Sequence, residues 1–177
     1  MNPLTAFGIA LGSNLGDRRD NLERGVEHLL RRMPEARLVA GASLYETEPV
    51  DCAPGTQAFL NSVIEIQAPL SPTEMHAHLV AVEALMGRPA ERARNAPRTL
   101  DLDLLYTGDY ASDDPVLTVP HPRLHLRRFV LQPLAEIRPG LKLPGLSLTI
   151  GQAMEALTDD PESVRFAGLW KYQLPAG

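Results

Sequence analysis

Two aspartates one residue apart have the type and spacing in this sequence that most directly suggest chemistry. Asp101 and Asp103 lie in the segment TLDLDLLY, residues 99–106, where apolar and polar residues alternate. This alternation predicts a strand with both carboxylates on one face and apolar side chains on the other. The face expected to enter the core carries Leu100, Leu102, Leu104 and Tyr106.

The two carboxylates of such a strand would stand about 6.6 Å apart. Like charges at this distance repel, and aspartate is disfavoured in strands, so the pattern is most readily tolerated when a cation binds between them. Oxygen ligands of this kind suit Mg²⁺, which typically takes one or two carboxylates together with substrate phosphates. A solvated polar strand face has the same pattern, so the aspartates alone leave both interpretations open.

Arginines surround this segment, although the chain is acidic, with a formal net charge of −5. Seven of its 17 basic residues fall between positions 88 and 128, and all seven are arginine. They are Arg88, Arg92, Arg94, Arg98, Arg123, Arg127 and Arg128. Arginine binds phosphate oxygens through paired hydrogen bonds and keeps its charge. Arginines for phosphate oxygens, next to aspartates for Mg²⁺, indicate a site for a metal-bound polyphosphate.

Composition narrows the class of protein. With 177 residues, 44% hydrophobic and 22% charged, the sequence predicts a single domain over residues 1–177. The acidic charge and only nine aromatic residues argue against a nucleic-acid partner. No apolar run approaches the roughly 18 residues of a membrane span. One cysteine and an N-terminus without a signal-peptide pattern lead us to expect a cytoplasmic protein.

The elements that must position these side chains follow a β-α-β-β-α-β order. Asp20 is a candidate N-cap for the first helix, and Ser71, Pro72 and Glu74 give the second a strong start. The order predicts an α+β, ferredoxin-like fold, a mostly antiparallel sheet with helices packed on one face. Residues after 139 carry no clear pattern. The strands are expected over residues 4–11, 37–45, 59–66, 99–106 and 116–119, and the helices over 20–33 and 71–86.

Two further motifs are compatible with ligand binding or with ordinary structure. The turn at residues 12–16, GSNLG, joins a strand to a helix as a phosphate loop does, but it lacks the lysine of a P-loop. Phe59 and Asn61 share one face of their strand, where a ring beside an amide would suit a planar heterocycle. Core packing explains the second motif equally well, and a tight connection explains the first.

Several segments, in this order along the chain, resemble the 6-hydroxymethyl-7,8-dihydropterin pyrophosphokinase family of folate biosynthesis. The most specific of them is PRTLDLD at 97–103. The segments are GIALGSNLG at 8–16, SLYETEP at 43–49, FLNS at 59–62, PRTLDLD at 97–103, and LTVPHP at 117–122 followed by RRF at 127–129.

The resemblance implies a ferredoxin-like enzyme that transfers the pyrophosphoryl group of MgATP to the hydroxymethyl group of the pterin and releases AMP. It implies two Mg²⁺ ions at Asp101 and Asp103, with Arg88 and Arg98 as further catalytic residues that clamp the phosphates. We expect a monomer that binds both substrates. The implied ATP contacts are Glu83, Arg88, Arg98, Leu104, Thr118, His121 and Arg127. The implied pterin contacts are Gly12, Thr47, Glu48, Val50, Phe59, Asn61 and Phe129.

One position departs from the family pattern, and two other functions remain open. Asn95 stands in the arginine-rich loop where family members often have an aromatic residue, which leaves the closure of that loop unexplained. A two-metal nucleotidyltransferase would also combine Gly-Ser with Asp-x-Asp, although those elements lie far apart here. A ferredoxin-like small-molecule-sensing module would need no such acidic pair. A nucleotidyltransferase would release pyrophosphate rather than AMP, and a sensing module would show no turnover.

Overall fold

The computed structural model describes residues 3–49, 52–88, 91 and 96–177. Val50, Arg92, Arg94 and Asn95 lie outside the described residues. Among the described residues, no helix is both long and apolar enough to span a membrane. The helices of this part of the chain are α1 (Arg18–Arg32), α2 (Pro72–Leu85), α3 (Arg128–Ile137) and α4 (Ile150–Glu155). Its strands are β1 (Thr5–Ser13), β2 (Arg37–Gly41), β3 (Leu44–Thr47), β4 (Phe59–Ala68), β5 (Asp101–Thr107), β6 (Ser112–Asp114), β7 (Leu117–Val119) and β8 (Val164–Gly168).

The central sheet is antiparallel and has β1 and β4 at its middle. Its strand order is β5-β1-β4-β3-β8, and β2 also pairs with β4, while β6 and β7 form a separate hairpin. This arrangement confirms the predicted α+β class with a βαββαβ core. The single strand predicted over 37–45 is two strands, β2 and β3. The chain leaves the ladder between them, where the backbone N–H of Ser43 donates to the carboxylate of Glu136 at 3.0 Å.

Helices α1 and α2 cover one face of the sheet and bury its main apolar core. The capping box predicted for α2 is present, since Ser71 and Glu74 bond each other's backbone N–H groups. The predicted cap of α1 is wrong. Asp17 is the N-cap residue, and its Oδ1 accepts from the backbone N of Asp20 at 3.0 Å, so Asp20 lies in the first turn.

Helices α3 and α4 cover the other face, which corrects the expectation that helices pack on one face only. Val130, Leu131 and Leu134 of α3 and Ile150 of α4 are buried in a second apolar cluster. Its sheet side includes Val63, which alternates along β4 with residues of the first core. The sheet is therefore buried on both faces, and the candidate site lies beside this second cluster.

Strand β5 presents its aspartates as the alternation predicts. Leu100, Leu102 and Leu104 are buried in the first core, below the face that carries Asp101 and Asp103. The placement of Tyr106 on the leucine face is wrong. The register between β1 and β5 shifts at this point, and Tyr106 packs in the second cluster instead.

Candidate active site

A row of residues across three strands joins the acidic pair to the aromatic–amide pair. Gly12 of β1 pairs with Asp101 of β5 on one side and with Asn61 of β4 on the other. A Cβ atom at Gly12 would lie 3.4 Å from Oδ1 of Asn61 and 3.7 Å from the ring of Phe59. Because Gly12 has no side chain, the sheet surface between the two carboxylates and the Phe59 ring is open. We call this surface the floor of the site. The sheet thus brings together two motifs that lie some forty residues apart in the sequence.

A cavity of about 740 Å³ stands over this floor. That volume is in the range of small-molecule sites, roughly 300–1,000 Å³. Its walls combine charged and apolar side chains. Ten of the predicted site residues line it: Gly12, Thr47, Glu48, Phe59, Asn61, Arg98, Asp101, Asp103, Arg127 and Phe129.

The two aspartates differ in how they are paired. Asp101 accepts from Nη1 of Arg98 at 2.9 Å and from Nη1 of Arg88 at 3.2 Å. The carboxylate of Asp103 has no ion pair or hydrogen bond to any other described residue. Burial raises the pKa of Asp103, and the charge of Asp101 raises it further, whereas Arg127 opposes both effects. A partly buried carboxylate lacking a partner beside a second one fits a divalent cation, because the cation relieves both the burial and the repulsion.

Arg98 has a buried donor with no protein partner. Its Nε is buried and makes no hydrogen bond within the described part of the chain. Its guanidinium carbon lies 6.0 Å from the ring centroid of Phe59, between the acidic and aromatic sides of the cavity. A buried N–H left unpaired is costly, so this donor fits an anionic oxygen supplied by a ligand.

The GSNLG turn holds the backbone of Arg98. The backbone N of Asn14 donates to the carbonyl of Arg98 at 3.1 Å, and Oδ1 of Asn14 accepts from the backbone N of Arg98 at 2.7 Å. Sequence reasoning noticed the turn but missed this contact, because the two segments lie far apart along the chain.

Glu83 lies behind Arg88 and outside the cavity lining. Its Oε1 accepts the backbone N–H of Leu102 at 2.7 Å, and its carboxylate also pairs with Arg88. Burial raises the pKa of Glu83, while the Leu102 N–H and the Arg88 charge oppose the rise. Through this contact α2 fixes Arg88 against Asp101.

Arg88 itself is not part of the lining, and three further residues expected to contact ATP also lie outside it. The side chain of Leu104 is buried in the first core, on the opposite face of the sheet. Oγ1 of Thr118 donates to the carbonyl of Asp114 within the β6–β7 hairpin. His121 donates its backbone N–H to the carbonyl of Leu105 at 2.7 Å, and burial together with the Arg127 charge lowers its pKa. Their contacts with a nucleotide stay predictions.

On the aromatic side, the amide of Asn61 has a fixed orientation. Its Nδ2 donates to Oγ1 of Thr47 at 3.0 Å, which turns Oδ1 toward Gly12 and the cavity. The guanidinium carbon of Arg127 lies 5.6 Å from the ring centroid of Phe129 at the opposite wall. The cavity therefore has an aromatic end with one oriented amide oxygen, next to a charged end.

Residues 8–139 match the family model of 7,8-dihydro-6-hydroxymethylpterin-pyrophosphokinase (HPPK). The chain belongs to the HPPK family. The Pseudomonas aeruginosa 2-amino-4-hydroxy-6-hydroxymethyldihydropteridine pyrophosphokinase is 40% identical over 136 residues, covering 77% of this chain and 82% of the relative. The enzyme of that name from Bacillus subtilis is 43% identical over 129 residues, covering 73% and 75%. The Methylorubrum extorquens enzyme is 38% identical over 162 residues, covering 91% and 98%.

Membership confirms the predicted enzyme class, pyrophosphoryl transfer to a pterin in folate biosynthesis with ATP as co-substrate. The fold agrees with solved HPPK domains. A wild-type Plasmodium falciparum HPPK-DHPS chain solved with pteroate matches with a TM-score of 0.68 at 14% identity. That match covers 88% of this chain and 44% of the other, so this chain spans less than half of the HPPK-DHPS chain.

The cavity also has lining residues that sequence reasoning missed, and five of them lie after the end of the HPPK match. They reach the site because β8 pairs with β3, and no local pattern signals that pairing. The additional residues include Arg128, Asp159, Asp160, Glu162, Ser163 and Val164.

Proposed function

We propose that this cavity is where the pyrophosphoryl group of MgATP passes to the hydroxymethyl group of 6-hydroxymethyl-7,8-dihydropterin, with release of AMP. The observation that carries the proposal is the single floor shared by the carboxylates Asp101 and Asp103 and by Phe59 and Asn61, with Gly12 between them. A phosphate-bearing substrate and a flat heterocycle bound at these two ends would meet over Gly12.

The pterin occupies the aromatic end in this proposal. Asn61 would accept a ring N–H through Oδ1, which its bond to Thr47 already orients toward the cavity. Phe59 and Phe129 would contact the ring faces, and an aromatic wall of this kind excludes water from the reacting hydroxyl. Thr47 and Glu48 line the same end, and Val50 stays a prediction because it lies outside the described residues.

The phosphates occupy the charged end. Arg98 has a buried Nε without a partner, and Arg88 lies within hydrogen-bond distance of the same carboxylate, Asp101. We assign both arginines as catalytic residues, since pyrophosphoryl transfer needs positioning and charge neutralisation more than covalent help from the protein. Arg127 adds a third guanidinium, close enough for its charge to lower the pKa of Asp103.

The carboxylates of Asp101 and Asp103 would hold two Mg²⁺ ions. Two protein ligands leave most of each octahedral shell to phosphate oxygens and water, the usual arrangement for Mg²⁺ with a nucleotide. Bound Mg²⁺ would neutralise charge on the transferring group and lower the pKa of the acceptor hydroxyl. The protein's part is to align both carboxylates, and the charges of Arg127, Arg88 and Arg98 oppose the rise in the pKa of Asp103.

The rest of the nucleotide would extend over the outer edge of β5. His121 lies there through its bond to Leu105, and burial favours its neutral imidazole. Thr118 lies on the adjacent hairpin, Glu83 holds Arg88, and Leu104 could contact the nucleotide only through its backbone because its side chain is in the core. These assignments follow the family resemblance.

We also propose a cytoplasmic monomer without nucleic-acid or membrane partners. The net charge of −5 disfavours nucleic acid, and one cysteine fits a reducing compartment that also supplies ATP.

The test is incubation of the purified chain with ATP, Mg²⁺ and the reduced pterin alcohol, with chromatographic separation of the products. We expect AMP and the pterin pyrophosphate in equal amounts. Release of inorganic pyrophosphate would instead indicate a nucleotidyltransferase. Absence of turnover, with pterin or ATP still binding, would indicate a sensing module.

A further inference from the structure

Part of the cavity wall comes from the chain beyond the HPPK match. The match ends at residue 139, yet the segment from Asp159 to Val164 lines the cavity. This segment leads into β8, which pairs with β3 at the edge of the sheet. The segment therefore forms part of the wall and lies beside residues of the proposed reaction.

Asp159 makes a defined contact with a buried arginine. Its Oδ1 accepts from Nε of Arg128 at 2.8 Å and lies 2.7 Å from Nη2, and its backbone carbonyl accepts from Nη2 at 3.3 Å. Arg128 is 8% exposed. Because a buried guanidinium without a counter-charge is strongly unfavourable, Asp159 is the group that makes this position of Arg128 possible.

The contact acts on the turn that carries two site residues. Helix α3 begins at Arg128, and its N-cap residue Arg127 makes no capping hydrogen bond with its side chain. Arg127 and Phe129 flank Arg128, line the cavity and contact each other. Of the two adjacent arginines, Arg128 is paired, whereas Arg127 has no ion pair to any other described residue and acts on Asp103 through its charge.

We propose that Asp159 is a positioning residue for the reaction of this cavity. By holding Arg128, it fixes the first turn of α3 so that Arg127 faces the carboxylates and Phe129 faces the pterin end. The inference rests on the proposed function of the cavity and adds to it a residue outside the matched family segment. Asp159 touches neither substrate in this role and works only through Arg128.

The experiment compares steady-state constants and substrate binding for wild type, Asp159→Ala and Asp159→Glu. Misplacement of Arg127 and Phe129 should lower kcat/KM of Asp159→Ala for ATP by up to about 100-fold. It should also weaken pterin binding in calorimetry, because Phe129 lies on the same turn. Asp159→Glu retains the carboxylate and should recover most of the loss. Glu155→Ala removes an exposed acid from α4 and serves as the control of matched charge.

A double variant separates positioning from stability. Arg128→Met with Asp159→Ala replaces the ion pair by apolar groups, a change that is often neutral for folding. Asp159→Ala should have little further effect on kcat/KM in the Arg128→Met background, because its role requires Arg128. If Asp159→Ala unfolds, Asp159→Asn, which keeps the shape and one acceptor, provides the single-variant comparison.

Three results would overturn the inference. If wild type releases AMP and the Asp159 variants keep its constants per folded molecule within twofold, Asp159 has no positioning role, even if its loss lowers Tm. A loss that is fully additive to that of Arg128→Met would also reject the route through Arg128. If wild type itself releases no AMP, the proposed function fails and this inference fails with it.

Discussion

Glu65 and Asp103 are acids on the same face of the central sheet, and their surroundings differ sharply. Glu65 of β4 is 4% exposed and receives three hydrogen bonds. Its Oε2 accepts from the Tyr106 hydroxyl at 2.5 Å and from Nε of Arg138 at 3.1 Å, and its Oε1 accepts from Nη2 of Arg138 at 2.7 Å. Asp103 of β5 has the charges of Arg88, Arg98 and Arg127 nearby but no direct partner among the described residues.

The difference separates an acid that holds the fold from one that is available to a ligand. Both carboxylate oxygens of Glu65 have hydrogen-bond partners. The Tyr106 ring has room to reach Glu65 because Gly8 carries no side chain. A fully paired buried charge has nothing left to bind. An acid that lacks a partner and faces a cavity carries an unfavourable interaction in the free protein, which is typical of functional sites.

Neutralising Asp103 gives the most direct test of this difference between the two acids. Asp103→Asn keeps the shape and removes one of the two proposed metal ligands, so we expect kcat to fall roughly 1,000-fold or more, in line with the several kcal/mol that a bound metal ion contributes. AMP release in saturating substrates measures the effect. Asp109→Asn, in the exposed turn after β5, is the control and should keep wild-type turnover. Near-normal turnover of Asp103→Asn would reject the metal assignment.

The converse change is made at Glu65. Glu65→Ala leaves the guanidinium of Arg138 and the hydroxyl of Tyr106 without their acceptor, so we expect a loss of about 3–5 kcal/mol in unfolding free energy. Urea denaturation measures it. Turnover per folded molecule should stay within twofold of wild type, because no Glu65 atom lines the cavity. A selective loss of kcat with unchanged stability would abolish the distinction between the two acids.

Glu27 is the matched control for Glu65. It accepts from Nη2 of Arg31 at 2.7 Å, the same distance as the Arg138–Glu65 contact, but this pair lies on the surface of α1. Exposed pairs contribute little, so Glu27→Ala should change the unfolding free energy by less than about 1 kcal/mol. Equal losses at Glu27 and Glu65 would show that burial is not what distinguishes them.

Arg98 tests the charged side of the same cavity. Arg98→Ala removes the buried unpaired Nε–H and one partner of Asp101, and we expect kcat to fall about 100-fold, the effect of losing one donor to developing charge. Pterin affinity should be retained, since Asn61 and Phe59 form that end. Calorimetric titration with the pterin, beside the AMP assay, separates the two effects. A loss confined to pterin affinity would show that Arg98 acts at the pterin end and not on the phosphates.

The sequence predicted that Asp101 and Asp103 of β5 share one face, but it did not predict the structural role of Glu65. The reason is physical. The Leu/Asp alternation of β5 is local, so both carboxylates could be placed on one face before the fold was known. Glu65 lies in a strand buried on both faces, and its partners Tyr106 and Arg138 come from distant segments. The sequence also did not predict that Asp159 lines the cavity. Only the long-range pairing of β8 with β3 brings this segment to the site.

A smaller effect follows from the unpaired state of Asp103 in the free protein. Burial and the Asp101 charge raise its folded-state pKa above the usual value of 3.8. A raised pKa means that folding favours the protonated form. The resulting stability is fully present below pH 3.8 and is lost as the pH rises through the folded-state pKa. Above that pKa, the ionised Asp103 therefore destabilises the protein when no cation is bound.

Asparagine cannot ionise, so Asp103→Asn should melt at a higher temperature than wild type at pH 7–8 in EDTA. The gap in Tm should shrink as the pH is lowered through the folded-state pKa of Asp103, because wild-type Asp103 then becomes protonated. Excess Mg²⁺ with ATP should narrow the gap at pH 8 as well, because only wild type gains the cation that offsets its charge. A gap that is independent of both pH and Mg²⁺ would mean that the unpaired carboxylate costs the free protein nothing. The contrast with Glu65 would then rest on catalysis alone.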